Sequence, residues 1–304
     1  MKDYEQVKKR LDRYLRFNFH RTEGLIGGLD GILFRELVTG QIKHGIQGSL
    51  VEIGVHYGRS FFLLALGRSG SEKALAVDLF EDDLLHTNRQ GIGRFGGFRE
   101  NCRKYRLDLS EGEILKGSSL EISAQEIVDR VGEVRFFSID GGHMYKHVAN
   151  DLRLAEKVLT RDGIICLDDM FSALWPEVAI ATFDWLRAAG NRFVPFLATK
   201  DKLYLCDSSY ASLYLAMIQG EKELSSRVFR SISLLSHETL VLLPSRTSRV
   251  FDRVAAALFS VGRLARMNRS GTKGHGPSSP LLEPLGTESG PRRPSACPKP
   301  AGLA

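Results

Sequence analysis

The chain has 304 residues, 43% of them hydrophobic, and a net charge of +6 spread along its length. This is enough apolar residue for one large domain or two small ones, and it argues against a nucleic-acid groove, which needs a basic stripe with aromatic platforms. No apolar run approaches the roughly 20 residues that span a bilayer, and the polar stretch Met1 to Lys9 does not read as a signal peptide. The four cysteines (Cys102, Cys166, Cys206, Cys297) form no C-x-x-C pair. Cys166 and Cys206 sit in apolar runs and read as buried thiols of a reducing compartment, so a cytoplasmic protein is expected.

The chain opens on a charged amphipathic helix over 1–22, with Tyr4, Val7, Leu11, Tyr14 and Leu15 on one face. A glycine-rich loop follows, then a second helix over 32–42. From Ser49 strands and helices alternate. Strands are expected over 49–54, 73–79, 112–116, 133–139 and 162–168, with helices near 59–68, 98–106, 120–130, 146–160 and 176–189. This alternation implies right-handed crossovers and a mostly parallel sheet with helices on both faces. The runs 193–197 and 202–206 flank a short polar turn and predict an antiparallel hairpin at one sheet edge. Residues 208–267 read as a helical extension. Its basic end, Arg246 to Arg266, would pack on the body or a second subunit, or rest on an anionic membrane surface. Residues 268–304 hold seven of the ten prolines and few large apolar groups, the composition of a disordered tail. The expected divisions are 1–48, 49–207, 208–267 and 268–304.

The stretch Leu50-Val51-Glu52-Ile53-Gly54-Val55-His56-Tyr57-Gly58-Arg59-Ser60 is an apolar strand running into a glycine-bracketed turn. Backbone N–H groups at the following helix start are unpaired and face any ligand there. The glycine spacing fits neither the dinucleotide fingerprint nor the phosphate-cradling loop. It resembles motif I of the class I S-adenosylmethionine-dependent methyltransferases. That resemblance implies a cofactor site at Glu52, Gly54, Gly58 and Ser60, and a Rossmann-like sheet finished by an antiparallel hairpin. Asp78 ends the second strand, 24 residues after Gly54. A carboxylate there can accept from two ribose hydroxyls, of this cofactor or of NAD, or serve as a loop acid. Ser118 and Ser119 end the third strand and would meet the adenine edge or cap the next helix.

The fourth and fifth strands end in Asp140 and in Asp168-Asp169. In a parallel sheet both ends lie on one edge, with neighbouring strands about 4.8 Å apart. Three clustered carboxylates resist joint ionisation, and a hard divalent ion such as Mg²⁺ would compensate them. His143 lies three residues after Asp140, and an imidazole suits a general base at neutral pH. This set is similar to the metal site of catechol O-methyltransferase-type and macrolide-sugar O-methyltransferase-type enzymes. In the former the base is lysine and the last ligand asparagine, where this chain has His143 and Asp169. The run Ile139 to Tyr145 also resembles bacterial methyltransferases of sugar and secondary-metabolite tailoring. The resemblance covers residues 24–207. It implies a metal-dependent O-methyltransferase acting on a small-molecule or saccharide hydroxyl. Two rivals remain: an NAD-dependent oxidoreductase on a similar sheet, and a non-catalytic binding module with a partner-binding C-terminus.

Overall fold

The computed structural model describes residues 2–80, 95–188 and 190–244. The expected basic helix over 246–266 and the tail over 268–304 lie outside the described residues. Helix α1 (Lys2–Phe17) buries Val7, Leu11 and Tyr14, one stripe at helical spacing. Helix α2 (Gly28–Lys43) begins four residues before the expected Ile32. The glycines there are not all loop. A Cβ at Gly31 would lie 2.9 Å from Phe19 Cζ, so glycine lets the helix rest on that ring.

Strands and helices then alternate: β1 (Ser49–Ile53), α3 (Phe61–Leu66), β2 (Ala74–Asp78), α4 (Phe95–Lys104), β3 (Ile114–Lys116), α5 (Ala124–Val131), β4 (Val134–Ile139), α6 (Tyr145–Val158), β5 (Leu159–Leu167) and α7 (Pro176–Arg187). The expected hairpin is β6 (Phe193–Ala198) and β7 (Leu203–Asp207). The sheet runs β3-β2-β1-β4-β5-β7-β6, with the first five strands parallel and β7 antiparallel to both neighbours. This is an α/β, Rossmann-like sheet. Its strand order reverses between β1 and β4, where such sheets bind ligands. Successive residues feed opposite faces. Leu50, Ala76, Phe136 and Ile164 pack toward α1 to α4, while Val51, Val77, Phe137 and Ile165 pack toward α5 to α7. Burial on both faces is why these strands read as unbroken apolar runs.

The extension after 207 is not helical throughout. Helices α8 (Ala211–Gly220) and α9 (Lys222–Ser225) are followed by β8 (Val228–Leu234) and β9 (His237–Leu242). Strand β9 pairs parallel to β6 and places Leu240 and Leu242 in the core. The β-branched and apolar alternation over 237–242 favours a strand. Leu235 and Ser236 take positive φ (49° and 66°), as a two-residue hairpin turn requires. The sheet therefore has nine strands among the described residues. None of the described helices is long and apolar enough to cross a membrane. Cys102, Cys166 and Cys206 are buried and free.

Candidate active site

The C-terminal edge of the parallel strands is knit together through backbone. Gly54 N–H donates to Val77 O at 2.9 Å, and Asp140 N–H to Ile53 O at 2.8 Å. Gly54 has φ 88°, and a Cβ there would sit 1.7 Å from Asp140 O. Only glycine lets the tip of β1 pass the tip of β4 this closely. Gly58, at φ 95°, is pressed by the Phe62 ring, 2.5 Å from an added Cβ. The contact that demands this glycine is therefore with the helix behind the loop.

Asp78 joins the loops after β1 and β2. Its Oδ2 accepts from His56 N–H and its Oδ1 from Phe80 N–H, both at 2.8 Å. His56 and Phe80 both have positive φ (53° and 49°), uncommon for residues other than glycine. The loop-acid role is thus filled. Glu52 is fully buried on β1. Burial pushes its pKa up to about 8, against the pull of the Ser60 and Ser138 hydroxyls and of Lys202. Ser138 Oγ donates to Glu52 Oε1 at 3.0 Å, and Oε2 has no hydrogen-bond partner. Ser118 takes the capping role, accepting from Leu120 N–H at 3.3 Å. Ser119 is buried, its carbonyl accepting from Asn150 Nδ2 at 2.8 Å. Asp151 on α6 lies beside it and behind the 140–142 turn, its pKa raised by burial to about 6.

The acidic half of the edge divides in two. Asp140, His143 and Asp169 each present a ligand atom within 4.8 Å of the others, a group that could hold a metal. His143 Nε2 is 2.9 Å from Asp169 Oδ2. The other face of this pair is aromatic: the imidazole stacks on Trp175 at 4.4 Å between centroids and 18° between planes. Met144, Tyr145, Phe171 and Leu174 leave large apolar surface exposed in the adjoining segments.

Asp168 is held elsewhere. Its Oδ2 lies 2.6 Å from Lys202 Nζ, and its Oδ1 accepts the N–H of Asp169 at 2.9 Å. Burial raises the Asp168 pKa, but the ammonium of Lys202 outweighs it and brings the group below the usual carboxylate range. Asp140 is pushed well above that range by burial and by the Asp168 charge. The two acids thus divide the burden of clustering, Asp140 held toward its protonated form and Asp168 toward its charged one. Asp30, buried on α2, joins the network. Tyr204 Oη donates to it at 3.4 Å, and burial raises its pKa to about 6.

Sequence reasoning missed Lys202 and Asp30. The signal for Lys202 lay in strand register. Leu167 pairs with Leu203 in the β5–β7 ladder, so the next positions along are Asp168 and Lys202.

Residues 51–170 match the family model described as a methyltransferase domain. With the sheet order and the glycine-bracketed loop, the match makes this part of the chain a methyltransferase domain. Among solved structures, the O-methyltransferase NovP is similar at 17% identity, covering 58% of this chain and 78% of that chain, with a TM-score of 0.48. An O-methyltransferase from Bacillus cereus in complex with SAH is 20% identical, covering 66% of this chain and 89% of that one, TM-score 0.42. TomG from Streptomyces achromogenes, involved in tomaymycin synthesis, is 13% identical over 66% of this chain and 88% of that one, TM-score 0.42. At these identities the likeness concerns the fold. No curated protein matches the sequence.

Proposed function

We propose that the protein is an O-methyltransferase acting on a hydroxyl of a small molecule or saccharide, with a divalent cation, Mg²⁺ or a similar ion, at the acidic edge. The observation that carries this reading is the His143–Asp169 pair at 2.9 Å, beside Asp140 and one strand from the Gly54–Gly58 loop. S-adenosylmethionine supplies a sulfonium-activated methyl carbon for in-line attack by the acceptor oxygen. The unpartnered Oε2 of Glu52 beneath the loop fits a ligand with a polar group to offer. Asp78, at the tip of β2, offers a carboxylate that ribose hydroxyls can donate to. Gly54, Gly58 and Ser60 shape the loop, while Ser118 and Ser119 flank the adenine side.

His143 takes the acceptor's proton, and Asp169 orients the imidazole. Trp175 fixes the ring from behind. The exposed Met144, Tyr145, Phe171 and Leu174 give the acceptor an apolar rim.

The two carboxylates Asp140 and Asp169, beside the imidazole, fit a hard divalent cation. Such an ion held by Asp140 and Asp169 would lower the pKa of an acceptor hydroxyl, as metals do for bound water. The free thiols and the absence of a spanning helix among the described residues suit a cytoplasmic enzyme. Cell fractionation tests that placement.

Calorimetric titration with S-adenosylmethionine and with NAD tests the cofactor, and binding of NAD alone would overturn the reading. Transfer of a labelled methyl group to hydroxyl acceptors should cease in EDTA and return with Mg²⁺ or Mn²⁺. Full turnover in excess chelator would remove the metal from the proposal.

A further inference from the structure

Lys202 is the feature that the proposed chemistry leaves unexplained. Its side chain is 2% exposed, a placement that costs an ammonium most of its hydration. The chain builds this position with care. The hairpin end closes through Thr199 N–H to Lys202 O at 2.9 Å and Lys202 N–H to Thr199 Oγ1 at 3.1 Å. Asp201 O accepts from Met170 N–H at 2.9 Å, which ties the hairpin to the residue after Asp169. The ammonium passes over the Phe34 ring of α2 at 5.9 Å and ends on Asp168.

Asp168 uses both oxygens. One takes Lys202 and the other takes the backbone N–H of Asp169, and the Asp140 carboxyl hydrogen-bonds to Asp168 beside them. Asp169 has φ 54°, a left-handed conformation that surroundings must impose on a residue with a Cβ. The imposed turn points the Asp169 carboxylate at His143 Nε2. Were Asp168 drawn onto a divalent ion instead, Lys202 would be left buried, short of its partner and close to two further positive charges.

We propose that Lys202 is a positioning residue: it claims Asp168 as its counter-ion, so that Asp168 clamps the Asp169 turn and the divalent ion is left to Asp140 and Asp169, beside His143. This rests on the metal reading above and narrows its ligand set. It also removes Asp168 from the three carboxylates expected from strand-tip placement.

The test compares Mn²⁺ binding to the full chain, followed by electron paramagnetic resonance, with thermal unfolding of the same variants. Asp168→Asn combined with Lys202→Met removes both charges while keeping a carbonyl to accept the Asp169 N–H. That double variant should bind Mn²⁺ within about threefold of wild type, whereas Asp169→Ala, which leaves no oxygen to ligate, should lose tenfold or more. A double variant as weak as Asp169→Ala would make Asp168 a ligand and overturn the proposal. Asp168→Ala offers no acceptor and should lose turnover that the double variant retains. Equal loss in both would overturn the clamp.

The pair itself is tested without metal. Lys202→Met and Asp168→Asn should each lower the melting temperature, and the double variant should fall no further than the worse single one. Additive losses would dissolve the pair. If wild type binds no Mn²⁺ while this coupling holds, the metal reading fails and the clamp stands.

Discussion

The two halves of the sheet edge are held by different forces. Around β1 and β2 the loops are fixed by backbone: glycines at close passages, and one carboxylate, Asp78, spanning two N–H groups. The one buried acid there, Glu52, is kept neutral by burial. Around β4, β5 and β7 the side chains are fixed by charge, through Lys202 on Asp168 and His143 against Asp169. Backbone bonds set shape and hardly respond to ions, so in the first half the buried Glu52 is the group that answers to pH. The second half keeps its geometry only while charges balance, which suits a place where protons move.

The seam between the halves is the most sensitive point. Gly54→Ala would drive a Cβ into Asp140 O at a φ of 88°. Overpacking and a disfavoured conformation combine there, and a loss of about 5 kcal/mol or failure to fold is expected. Soluble yield and thermal unfolding measure it, and a variant that melts with wild type would mean the two strand tips are not in contact. Next in size is His143→Ala. The maximal rate should fall about 10²- to 10⁴-fold, the range of general acid–base catalysis. S-adenosylmethionine affinity should stay level, because the imidazole belongs to the charged half alone. Mn²⁺ affinity falling in step with rate would make His143 a ligand and move the base elsewhere. A variant within a few-fold of wild type on an alkyl alcohol would leave the imidazole without a role in proton transfer.

These two halves were unequally legible in the sequence. The strand order, the glycine spacing and the strand-tip acids Asp78, Asp140, Asp168 and Asp169 follow from local pattern plus the rule that parallel strands share a ligand edge. Lys202 does not follow from local pattern. It opens the expected strand 202–206 beside a polar turn, and Lys200 in that turn is exposed. Only the β5–β7 register carries Lys202 inward opposite Asp168. Asp30 was hidden for a similar reason, since a glycine-rich stretch reads as loop until Phe19 shows why Gly31 must be small. The β8–β9 hairpin was obscured by its surroundings: β8 is mostly exposed, so its alternation is weak.

Glu52→Gln sharpens the comparison through pH. Glu52 keeps its proton up to about pH 8 in the fold, while an unfolded glutamate releases it near 4.3. Between those values the folded chain binds one proton more than the unfolded chain, so stability falls as pH rises. The contribution is fully present below the unfolded value and is lost through the folded one, at a limiting slope of about 1.4 kcal/mol per pH unit. Glutamine has no proton to lose. The melting temperature of Glu52→Gln relative to wild type should therefore rise steadily from pH 5 to 8 and level off above. A pH-independent difference would show that Glu52 ionises as freely in the fold as out of it.

The smallest expected effect asks whether Asp78 does more than hold its loops. Gly58 is a poor probe of the cofactor side, because any side chain there strikes Phe62 before it meets a ligand. Asp78→Asn is cleaner. The amide keeps one oxygen to accept from His56 or Phe80 N–H and replaces the other with a donor. One loop bond is lost, worth about 1 kcal/mol or somewhat more for a charged acceptor, and the melting temperature should drop by a few degrees. If the same carboxylate also receives ribose hydroxyls, the dissociation constant for S-adenosylmethionine should rise about tenfold, the equivalent of 1.4 kcal/mol. Adenosine, which keeps the ribose, should weaken by the same factor, whereas 2′,3′-dideoxyadenosine should bind both proteins alike. A variant that melts lower yet binds both nucleosides as wild type does would confine Asp78 to the backbone half of the edge, a brace between two loops and nothing more.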